Sequence, residues 1–488
     1  MKKVLAFDLG ASSGRGIIAS LDNGKITLNE IHRFPNNGVN VRKTLYWDII
    51  YLFDQIKQGI VKARLAGGFD AIGIDTWGVD FGLIDENGEL IGNPVHYRDS
   101  RTDNILGEVF NEISKESLYE RTGIQILNFN TLFQMYYMAK YRPDVLKRAD
   151  KMLFIPDLLN YFLTGNKNCE YTIASTSQMI DPNTRDWDRE MLKSLGIPDD
   201  ILCDIVMPGT IVGKLSDDIC TELSVEPTDV VAVGEHDTAS AVVSVPTQQD
   251  DFVYISCGTW SLFGTELSNP LISDESLKSS YTNEGGYNGK IRFLTNIMGL
   301  WLIQESRRTW IKQGNELSFN DMEQAARSCE PFKCFIDPDY PEFGKPGDIP
   351  ARIQKFCKMT GQYVPQTIGE IVRCIYESLA LKYKHAFNNL HKITNKEFNG
   401  IHIVGGGTKD PFLCAMTSSA CNTNVYAGPV EATALGNIAV QLMALGEIDN
   451  IKQAREIIKN SFDIKCYEPE NPSDWDMAYE KFKTVLGA

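Results

Sequence analysis

The first 35 residues alternate between apolar and polar positions in a way that predicts three strands. The apolar run VLAFDLG predicts the first, and after ASSGRG the alternating stretches of IIASLDNGKITLNEI predict two more. Asp22-Asn23-Gly24, between these stretches, is a strong hairpin signal. The loop at Gly10–Gly16 therefore joins strand to strand. Walker loops and dinucleotide fingerprints join strand to helix, so both of those nucleotide sites are excluded.

The same pattern returns in the second half of the chain. DFVYISCGTWSLFGTEL predicts a strand, a small-residue turn at Ser256–Thr259 and another strand. In the first half AIGIDTWGVDFGLID predicts strands around Asp75–Gly78, and DVVAVG leads into the helical HDTASAVV. In the second half IHIVGGG leads into PFLCAMTSSACN, and both PVEATALGNIAVQLMALG and residues 369–393 are helical. We infer two related α/β lobes, with a boundary at residues 244–251, where proline and polar residues interrupt the pattern.

Composition excludes several classes of function. A chain of 488 residues is too long for one compact core, and its net charge of -16 repels nucleic acid and anionic membrane surfaces. The N-terminal stretch carries Asp8 within a short apolar run and fails as a signal peptide, and no segment approaches the roughly 20 apolar residues of a membrane span. We expect a cytoplasmic protein that binds neither nucleic acid nor membranes.

The eleven cysteines form neither a disulfide framework nor a zinc ribbon, because they are scattered without any C-x-x-C pair. Reduced core thiols are the simplest interpretation. Cys357 and Cys374 lie in separate predicted segments and could meet, although a sequence does not supply the geometry that a disulfide requires.

Small-residue turns in each half are candidate phosphate sites, since exposed backbone N–H groups can cradle an anion without a Walker lysine. In the first turn Ser12 and Ser13 add hydroxyls and Arg15 a guanidinium, while Asp8 at the strand end is placed to hold Mg²⁺ directly or through water. Ser256–Thr259 forms the matching turn. Each turn alone is a weak signal. The three glycines of GGGTKD make either a tight turn or room for a flat ligand such as adenosine.

Asp237 stands where an apolar run gives way to a predicted helix. One interpretation is an N-cap, whose carboxylate accepts a backbone N–H of the first turn. The other is a general base that takes the proton from a substrate hydroxyl during phosphoryl transfer. The two roles are compatible. His236 either donates to a neighbouring substrate hydroxyl or fills space.

Taken together, these motifs resemble the FGGY family of carbohydrate kinases. The resemblance runs nearly end to end, through FDLGASSGR, GIDTWGVDF, YRDSRT, HDTASAV, SCGTWSL, NIMGLWLIQ, HIVGGG and GPVEATALGNIA. It implies an α/β, two-lobed actin-like and Hsp70-like ATPase fold, which is ribonuclease H-like, with a deep interdomain cleft. It also implies an N-terminal lobe at 1–244 with the sugar site and first phosphate loop, an ATP-binding lobe at 245–455, and a helical tail at 456–488 that packs on the N-terminal lobe.

The resemblance further implies the site residues. By this resemblance, the ATP phosphates are bound by Ala11, Ser12, Ser13, Gly14, Arg15 and Thr259, and the nucleoside is bound by Gln304 and Gly406. The resemblance implies that the sugar is bound by Gly78, His236, Asp237, Thr238 and Asn296, and that Trp77 and Phe129 form walls of its pocket. Asp237 is the implied proton acceptor and Asp8 the magnesium-associated aspartate. Glu235 departs from the pattern, which has a small residue there; its charge either acts on Asp237 or points to solvent.

DTWGVDF, HDTASAV and NIMGLWLIQ imply a family member that uses ATP and Mg²⁺ to phosphorylate L-rhamnulose at O1. The alternatives are another ketose or polyol kinase of the family, with L-fuculose the nearest substrate, and a non-catalytic sugar-binding protein of the actin-like fold. The implied partners are the sugar and ATP, bound by a monomer or homodimer.

Overall fold

The computed structural model describes residues 2–487. Its strands, in chain order, are β1 Lys3–Leu9, β2 Ser13–Asp22, β3 Lys25–Pro35, β4 Val39–Val41, β5 Thr44–Tyr46, β6 Ala71–Thr76, β7 Phe81–Ile84, β8 Lys151–Phe154, β9 Cys169–Glu170, β10 Ile180–Asp181, β11 Asp186–Trp187, β12 Ile205–Val206, β13 Ile211–Lys214, β14 Asp229–Val231, β15 Val253–Cys257, β16 Trp260–Leu267, β17 Thr282–Gly285, β18 Ile291–Met298, β19 Ile401–Val404, β20 Val425–Ala427 and β21 Lys465–Tyr467.

The α-helices, in chain order, are α1 Ile49–Leu65, α2 Ile105–Val109, α3 Lys115–Thr122, α4 Thr131–Tyr141, α5 Pro143–Leu146, α6 Ile155–Thr164, α7 Tyr171–Ser175, α8 Arg189–Ser194, α9 Asp217–Leu223, α10 Asp237–Val243, α11 Asp274–Lys278, α12 Trp301–Lys312, α13 Phe319–Arg327, α14 Ile349–Met359, α15 Ile368–Thr394, α16 Pro411–Cys421, α17 Ala432–Ala444, α18 Ile451–Ser461 and α19 Pro472–Lys483. Short 3₁₀ helices occur at Ser100–Thr102, Tyr287–Gly289, Pro341–Gly344 and Gly406–Lys409.

The first compact unit contains the chain up to Gln248 together with Glu266–Phe293 and Ala432–Phe462. Its main sheet has six strands in the order β13-β14-β6-β1-β2-β3. β6 is parallel to both β1 and β14, whereas β1 with β2, β2 with β3 and β13 with β14 are antiparallel. Because parallel strands end at the same edge of a sheet, the carboxyl ends of β1, β6 and β14 lie side by side.

Each face of this sheet has its own core, as strand alternation requires. Leu5 and Phe7 of β1 lie in the core that contains the buried face of α1. Val4 and Ala6 lie in the core that contains α17. Asp8 is the next member of this second set, so its carboxylate is on the α17 face of the sheet.

The second compact unit contains Gln249–Thr265, Leu294–Glu431 and the chain from Asp463 onward, so unit boundaries fall within β16 and β18. The sheet to which its strands belong has the order β17-β18-β16-β15-β19-β20-β21. β15 is antiparallel to β16 and parallel to β19, and β19 is parallel to β20. Counted from β18, this order repeats β3-β2-β1-β6-β14-β13, which confirms the predicted relation between two α/β lobes.

Local signals in the sequence explain several element boundaries. The turn between β2 and β3 has Asn23 and Gly24 at φ angles of 50° and 73°, the left-handed pair that a two-residue hairpin of type I′ requires. α15, the long predicted helix, begins with a capping box between Thr367 and Glu370 and ends at the left-handed Asn395. None of the helices described between residues 2 and 487 is long and apolar enough to span a membrane.

The C-terminal segment is divided between the two units. Residues 456–488 are predicted to pack on the N-terminal lobe; the chain up to Phe462 belongs to the first unit, and the chain from Asp463 belongs to the second. There Trp475 of α19 packs edge-on against Phe332, and Phe482 packs against Phe335. An amphipathic helix shows that it has an apolar face, but its sequence does not show which core that face joins.

Arg455 of α18 links three elements of the first unit. Its Nη2 donates to the backbone oxygen of Val242 at 3.1 Å and to Glu266 Oε2 at 2.7 Å, and its Nε donates to the oxygen of Val243 at 3.3 Å. Val242 and Val243 end α10, where the last carbonyls of the helix carry partial negative charge that a cation stabilises. The side chains of Arg455 and Glu266 are only 6% and 9% exposed.

Replacing Arg455 by Leu is expected to lower the free energy of unfolding by about 3–5 kcal/mol, because Glu266 is left as a buried charge without this partner. The double variant Arg455→Leu/Glu266→Leu should lose less than the single variant, since it removes both charges. Denaturant unfolding followed by circular dichroism measures both. If Arg455→Leu is no less stable than the double variant, the buried charge of Glu266 does not lower the free energy of unfolding, and the prediction is wrong.

Candidate active site

The candidate site of the first unit is built at the carboxyl edge of its sheet. Asp8 ends β1 directly beside Asp75 of β6 in the parallel register. Beyond the end of β14, the Thr76 N–H donates to the backbone oxygen of Glu235 at 2.9 Å, and Thr76 forms a parallel bridge with His236. This continued pairing brings the His236–Asp237 peptide next to the two strand-end aspartates.

Asp75 is a fully buried carboxyl group. Its Oδ2 accepts a hydrogen bond from Asn437 Nδ2 of α17 at 2.6 Å, whereas its Oδ1 has no hydrogen-bond partner. Burial raises the pKa of Asp75 well above its usual range, and the nearby charge of Asp8 raises it further. The edge therefore concentrates acidic groups, which a bound cation would stabilise.

The loop after β1 is a tight strand-to-strand turn, as predicted. Gly10 N–H donates to Ser13 O at 2.9 Å, and Asn36 closes the loop with hydrogen bonds to Gly10 O at 2.9 Å and Ser12 O at 3.0 Å. Ala11 and Ser12 are exposed at its tip. Ser13 begins β2, so this turn leaves backbone groups at the tip available to a ligand.

Two residues of this loop have roles that the sequence did not indicate. Arg15 lies opposite Asp8 in the antiparallel register, and its guanidinium forms an ion pair with the Asp8 carboxylate. A Cβ atom at Gly14 would lie 2.3 Å from the ring of Phe34. Gly14 is therefore required by packing in the core, whatever its contact with a ligand.

Asp237 is the first residue of α10, and the N-cap is His236, which makes no side-chain capping hydrogen bond. The expectation that Asp237 is the cap is thus wrong by one residue. Its Oδ1 instead accepts a hydrogen bond from the Thr238 hydroxyl at 3.0 Å. The Asp237 side chain is 33% exposed, so a ligand can reach its carboxylate.

The imidazole of His236 is held by a buried ion pair. Arg292 Nη2 lies 3.1 Å from His236 Nδ1 and 3.1 Å from Glu284 Oε2. Glu284 Oε2 lies 3.3 Å from the same Nδ1 and only accepts, so Nδ1 faces a donor and an acceptor, and the ring is held between them. Nε2 lies 3.5 Å from Asp237 Oδ1. Nε2 is therefore the ring nitrogen that faces Asp237 and that a ligand beside this carboxylate would meet.

Glu284 and Arg292 are the residues that orient His236, and sequence reasoning missed both. Burial alone would raise the pKa of Glu284, but Arg292 and His236 bring it below its usual value, so the carboxylate is ionised. Arg292 is fully buried and also donates from Nε to Gly285 O at 2.7 Å. The only sequence signal was an arginine within the apolar strand IRFLTNIM.

Gly78 is followed by a strained residue. Val79 has a φ of 67°, a left-handed conformation that costs a β-branched residue on the order of 1–3 kcal/mol. Its N–H donates to Thr176 Oγ1 at 3.2 Å, and its carbonyl accepts from Thr131 Oγ1 at 2.7 Å. A Cβ at Gly78 would lie 3.2 Å from the same Thr176 oxygen. Such maintained strain is typical of ligand sites.

Behind Gly78, Asp80 organises a cluster of aromatic rings. Its Oδ2 accepts hydrogen bonds from Trp47 Nε1 at 2.6 Å, Trp77 Nε1 at 3.0 Å and Tyr97 N–H at 3.0 Å. Burial raises the pKa of Asp80 to about 6, and these donors limit the rise. Asp80 stands within the quoted motif GIDTWGVDF, but no role for it was predicted from the sequence.

The two predicted pocket walls differ in exposure. Trp77 is only 6% exposed and packs on Trp47 with ring centroids 4.1 Å apart. Phe129 is partly exposed, and its ring centroid lies 5.5 Å from that of Tyr97. Phe129 is thus the more accessible of the two, and Trp77 supports the cluster from inside the core.

Glu235 lies in a cluster of three buried carboxyl groups with Asp157 and Glu170. It is fully buried, so the expectation that it points to solvent is wrong. Its Oε1 accepts a hydrogen bond from Asn160 Nδ2 at 2.8 Å, while Glu235 Oε2 and Asp157 Oδ2 have no hydrogen-bond donor beside them. Burial, followed by the charges of Asp157 and Glu170, raises the pKa of Glu235 well above its usual range. One proton shared by Glu235 and Asp157 satisfies both oxygens.

This acid cluster holds the backbone that carries the candidate base. Glu170 Oε2 accepts hydrogen bonds from the Thr172 hydroxyl at 2.6 Å and from the Glu235 N–H at 3.3 Å. The Thr172 oxygen in turn accepts from the His236 N–H at 3.3 Å. Burial raises the pKa of Glu170 to about 7 against these donors. The cluster therefore fixes the position of the peptide just before Asp237.

The second unit contains the other predicted residues. Thr259 is exposed in the turn between β15 and β16, and its backbone oxygen accepts hydrogen bonds from Gly299 and Trp301 N–H groups, both at 3.2 Å. Gln304 is half-buried near the start of α12. Backbone hydrogen bonds join the start of this helix to the loop between β15 and β16. Asn296 is half-buried on β18. The turn after β15 and the start of α12 are therefore held together by these backbone hydrogen bonds.

The three glycines after β19 differ in their local environments. Gly405 has a left-handed φ of 84°, and a Cβ at Gly407 would lie 2.2 Å from Cys257 Sγ. Gly406 is exposed, and a Cβ there would meet nothing closer than 3.9 Å. Only Gly406 has no local explanation, so it is the glycine best suited to contact a ligand, beside the end of β15.

Family comparisons match both halves of the chain. Residues 3–244 match the N-terminal domain of the FGGY family of carbohydrate kinases, and residues 253–445 match the C-terminal domain. The chain is 41% identical to the rhamnulokinase of Bacteroides thetaiotaomicron over 482 residues, which cover 99% of each chain. It is 40% identical to that of Bacillus subtilis over 484 residues, again 99% of each chain.

Solved structures show the same fold. The ligand-bound xylulose kinase of Lactobacillus acidophilus matches with a TM-score of 0.82 at 17% identity, covering 100% of this chain and 97% of that one. The glycerol kinase of Plasmodium falciparum with ADP matches with a TM-score of 0.79 at 16% identity, covering 100% and 99%. These likenesses confirm the predicted two-domain α/β fold of the actin-like ATPase type.

Replacing Glu235 by Gln is expected to change how stability depends on pH. Because burial raises the folded pKa of Glu235 well above the 4.5 of an unfolded glutamate, the stability that its protonated form contributes is present below about pH 4.5 and is lost as the pH rises toward the folded pKa. The substituted glutamine cannot ionise and still has an amide to donate to Asp157. Relative to the unchanged protein, the variant should gain roughly 1–3 kcal/mol in unfolding free energy between pH 5 and 8.

Denaturant unfolding at several pH values tests this expectation. The exposed Glu86→Gln is a matched control, which should show no such gain. A stability difference between Glu235→Gln and the unchanged protein that is equal at pH 5 and pH 8 would contradict a raised pKa in the cluster.

Proposed function

The chain belongs to the FGGY family of carbohydrate kinases, and on that basis we propose that it transfers the γ-phosphoryl group of ATP to O1 of L-rhamnulose. The products are L-rhamnulose 1-phosphate and ADP. Curated relatives named rhamnulokinase, 39–43% identical along nearly the whole chain, support this substrate. The reaction takes place where ATP is abundant, in the cytoplasm. The observation that carries the proposal is the accessible Asp237 carboxylate beside an oriented His236.

Asp237 acts as the general base. Its carboxylate takes the proton of the O1 hydroxyl as that oxygen forms a bond to the γ-phosphorus, while the bond between phosphorus and the ADP oxygen breaks. The Thr238 hydroxyl holds Asp237 Oδ1 at 3.0 Å. His236 Nε2 forms a hydrogen bond with a neighbouring sugar hydroxyl, since Arg292 and Glu284 hold the other ring nitrogen and Nε2 faces Asp237. Gly78 and Asn296 complete the sugar contacts in this proposal.

The strand-end carboxylates fit a magnesium ion. Mg²⁺ prefers carboxylate oxygens and water, and is usually bound by one or two carboxylates with substrate phosphates. Asp8 is the ligand in this proposal, directly or through water, and Asp75 Oδ1 nearby lacks a hydrogen-bond partner. When bound, the ion neutralises charge that develops on the phosphates. Arg15 is paired with Asp8 and can turn to phosphate oxygens when Asp8 takes the cation.

The nucleotide contacts are divided between the two sets of loops. We assign the phosphates to the exposed turn formed by Ala11, Ser12 and Ser13, with Gly14 and Arg15 following, and to Thr259. Gln304 and Gly406 take the nucleoside, because Gly406 alone of its glycine loop is exposed without a packing role. The predicted lobes, residues 1–244 for the sugar and 245–455 for ATP, remain part of this proposal.

The aromatic cluster accounts for a preference for a 6-deoxy sugar. Phe129 is partly exposed and backed by Tyr97, Trp47 and Trp77, so the methyl group of L-rhamnulose has an apolar surface to contact. Asp80 fixes the indole N–H groups of that surface. An apolar surface rejects an added hydroxyl by only about 10²-fold or less.

Replacing Asp237 by Asn is expected to lower kcat by roughly 10²–10⁴, because the amide keeps the shape but cannot accept the proton. Binding of L-rhamnulose should remain measurable by calorimetry. Asp217→Asn is a matched control, since Asp217 is exposed and is the first residue of α9, which has 7 residues like α10. Near-normal turnover of Asp237→Asn would mean that the carboxylate is not the base.

A substrate panel tests the sugar assignment. ADP release should be fastest with L-rhamnulose and slower with L-fructose, by about 10²-fold or less, because the apolar wall discriminates only modestly against the added hydroxyl. L-Fuculose keeps the methyl group and should be slower only through the different configuration of one hydroxyl. D-Xylulose and glycerol lack the sixth carbon altogether and should be poor substrates. Equal kcat/KM values across the panel would contradict the rhamnulose assignment but leave the kinase assignment intact.

A further inference from the structure

The first unit contains a cavity of about 560 Å³ whose described lining includes none of the predicted sugar, nucleotide or metal residues. Its walls come from the β4–β5 hairpin, the N-cap of α1, β7, the segment 91–101 and the end of α4 with α5. Sites for small molecules usually measure about 300–1,000 Å³. The cavity is therefore large enough for a metabolite, and the proposed reaction does not account for it.

Three arginines line this cavity, and their charges are largely unpaired. Within residues 2–487, the Arg101 side chain makes one hydrogen bond, from Nη2 to Gln134 Oε1, and no ion pair. Over the same residues the Arg148 side chain makes neither, and the one ion pair of Arg142 is a long contact of 3.9 Å between its Nε and Asp144 Oδ1. These guanidinium groups contrast with the net charge of -16 on the whole chain.

The two acids that line the cavity are occupied by backbone N–H groups. Asp48 caps α1 by accepting the Tyr51 N–H at 3.1 Å. Asp99 accepts the Leu45 N–H at 2.8 Å and the Arg101 N–H at 3.0 Å. Three arginines and two aspartates leave the lining a net charge of +1. Because the carboxylates already have donors, the lining favours an anion.

Much of the remaining lining is apolar, and part of it is open to solvent. Val39 and Val41 of β4 are 46% and 54% exposed. Tyr46 and Tyr137 are half-buried, and Phe81 and Leu83 of β7 are buried. An inorganic anion would leave these side chains uncovered. The lining therefore suits a ligand that has an organic group as well as a negative charge.

We propose that this cavity binds a phosphate monoester, with the phosphate held by Arg101, Arg142 and Arg148 and the organic group on the apolar wall. A guanidinium matches phosphate oxygens in a bidentate pair. A phosphate monoester carries a charge of about -1.5 to -2 at pH 7, so several guanidinium groups can share it. Arg142 and Arg148 are exposed and can attract the anion from solvent, whereas Arg101 is half-buried.

Arg101 connects the cavity to the candidate sugar pocket through Gln134. Gln134 Nε2 donates to Phe129 O at 2.8 Å and to Asp80 Oδ1 at 3.1 Å, and Phe129 is a predicted wall of that pocket. A guanidinium has five N–H groups, so Arg101 can bind phosphate and keep its hydrogen bond to Gln134. A bound phosphate then orders Gln134 and the Phe129 backbone before the sugar arrives. It lowers the KM for L-rhamnulose, an effect that rests on the proposed function.

Calorimetric titration of the full chain with phenyl phosphate and with inorganic phosphate tests the site. Phenyl phosphate should bind about tenfold or more tightly than inorganic phosphate, because its ring buries apolar area on the wall. Titration with L-rhamnulose 1-phosphate distinguishes the source of the ligand. If Arg148→Gln weakens L-rhamnulose 1-phosphate as much as phenyl phosphate, the site takes the reaction product; if it weakens phenyl phosphate alone, the site takes another monoester.

Arg148→Gln should weaken phenyl phosphate by about tenfold or more, because it removes a charged donor without breaking a contact within the protein. Lys147→Gln is the matched control, since it removes the same charge at the adjacent exposed position, outside the lining. Phenyl phosphate should also lower the KM for L-rhamnulose several-fold in Lys147→Gln and in the unchanged protein, and less in Arg148→Gln.

Three results would overturn the site: no saturable binding, equal affinities for phenyl phosphate and inorganic phosphate, or equal losses in Arg148→Gln and Lys147→Gln. An unchanged KM for L-rhamnulose at saturating phenyl phosphate would overturn the connection through Gln134. Calorimetry needs no turnover, so the cavity is tested even if L-rhamnulose proves not to be the substrate.

Discussion

The candidate active site depends on the parallel pairing of β6 with β1 and β14. This register sets Asp8 directly beside Asp75, and its continuation through Thr76 and Glu235 places His236 and Asp237 at the same edge. Side chains alternate with a period of two, so a slip of one residue would turn Asp8 into the apolar core on the other face. The apolar partners of Asp8 along β1 prevent that slip, because Leu5 and Phe7 would have to leave their core. The packing of ordinary core residues thus positions the carboxylates at this edge of the sheet.

Buried carboxyl groups around this edge fix the backbone that leads to Asp237, the proposed base. The burial of these groups is itself destabilising. Asp75, Asp157 and Glu235 are buried carboxyl groups with raised pKa values, and burial of a charge is unfavourable unless it is paired or hydrogen-bonded. Glu170 offsets part of this by accepting the N–H of Glu235, two residues before Asp237. A satisfied polar network in a low-dielectric interior is rigid, because each lost hydrogen bond leaves an unpaired buried group. The backbone that carries Asp237, the proposed base, is therefore fixed by buried groups, while the Asp237 carboxylate stays accessible.

Sequence patterns predicted the local elements of the structure but missed the contacts between residues that are distant in the sequence. The hairpins, the helix at 369–393 and the strand-to-strand loop at Gly10–Gly16 were predictable, because turn residues and apolar spacing act over a few positions. The orientation of His236 was not, since Arg292 is 56 positions away along the chain. The start of α10 was misplaced by one residue, because either residue of the His236–Asp237 pair is compatible with a helix start. The roles of the candidate site residues rest on the family resemblance and stay predictions.

The repeated topology shows how one architecture carries two kinds of chemistry. In the first sheet the register pairs Asp8 with Asp75; at the corresponding positions of the second sheet, β15 and β19 pair Ser256 with Val404. Carboxylates at the first edge suit a cation and a proton acceptor, but they would repel phosphates that lacked a metal. The neutral second edge, with its exposed Gly406 and Thr259, suits an anionic nucleotide without that repulsion. The strand order is the same in both halves, so the difference between the two edges lies in the residues that stand at equivalent strand ends.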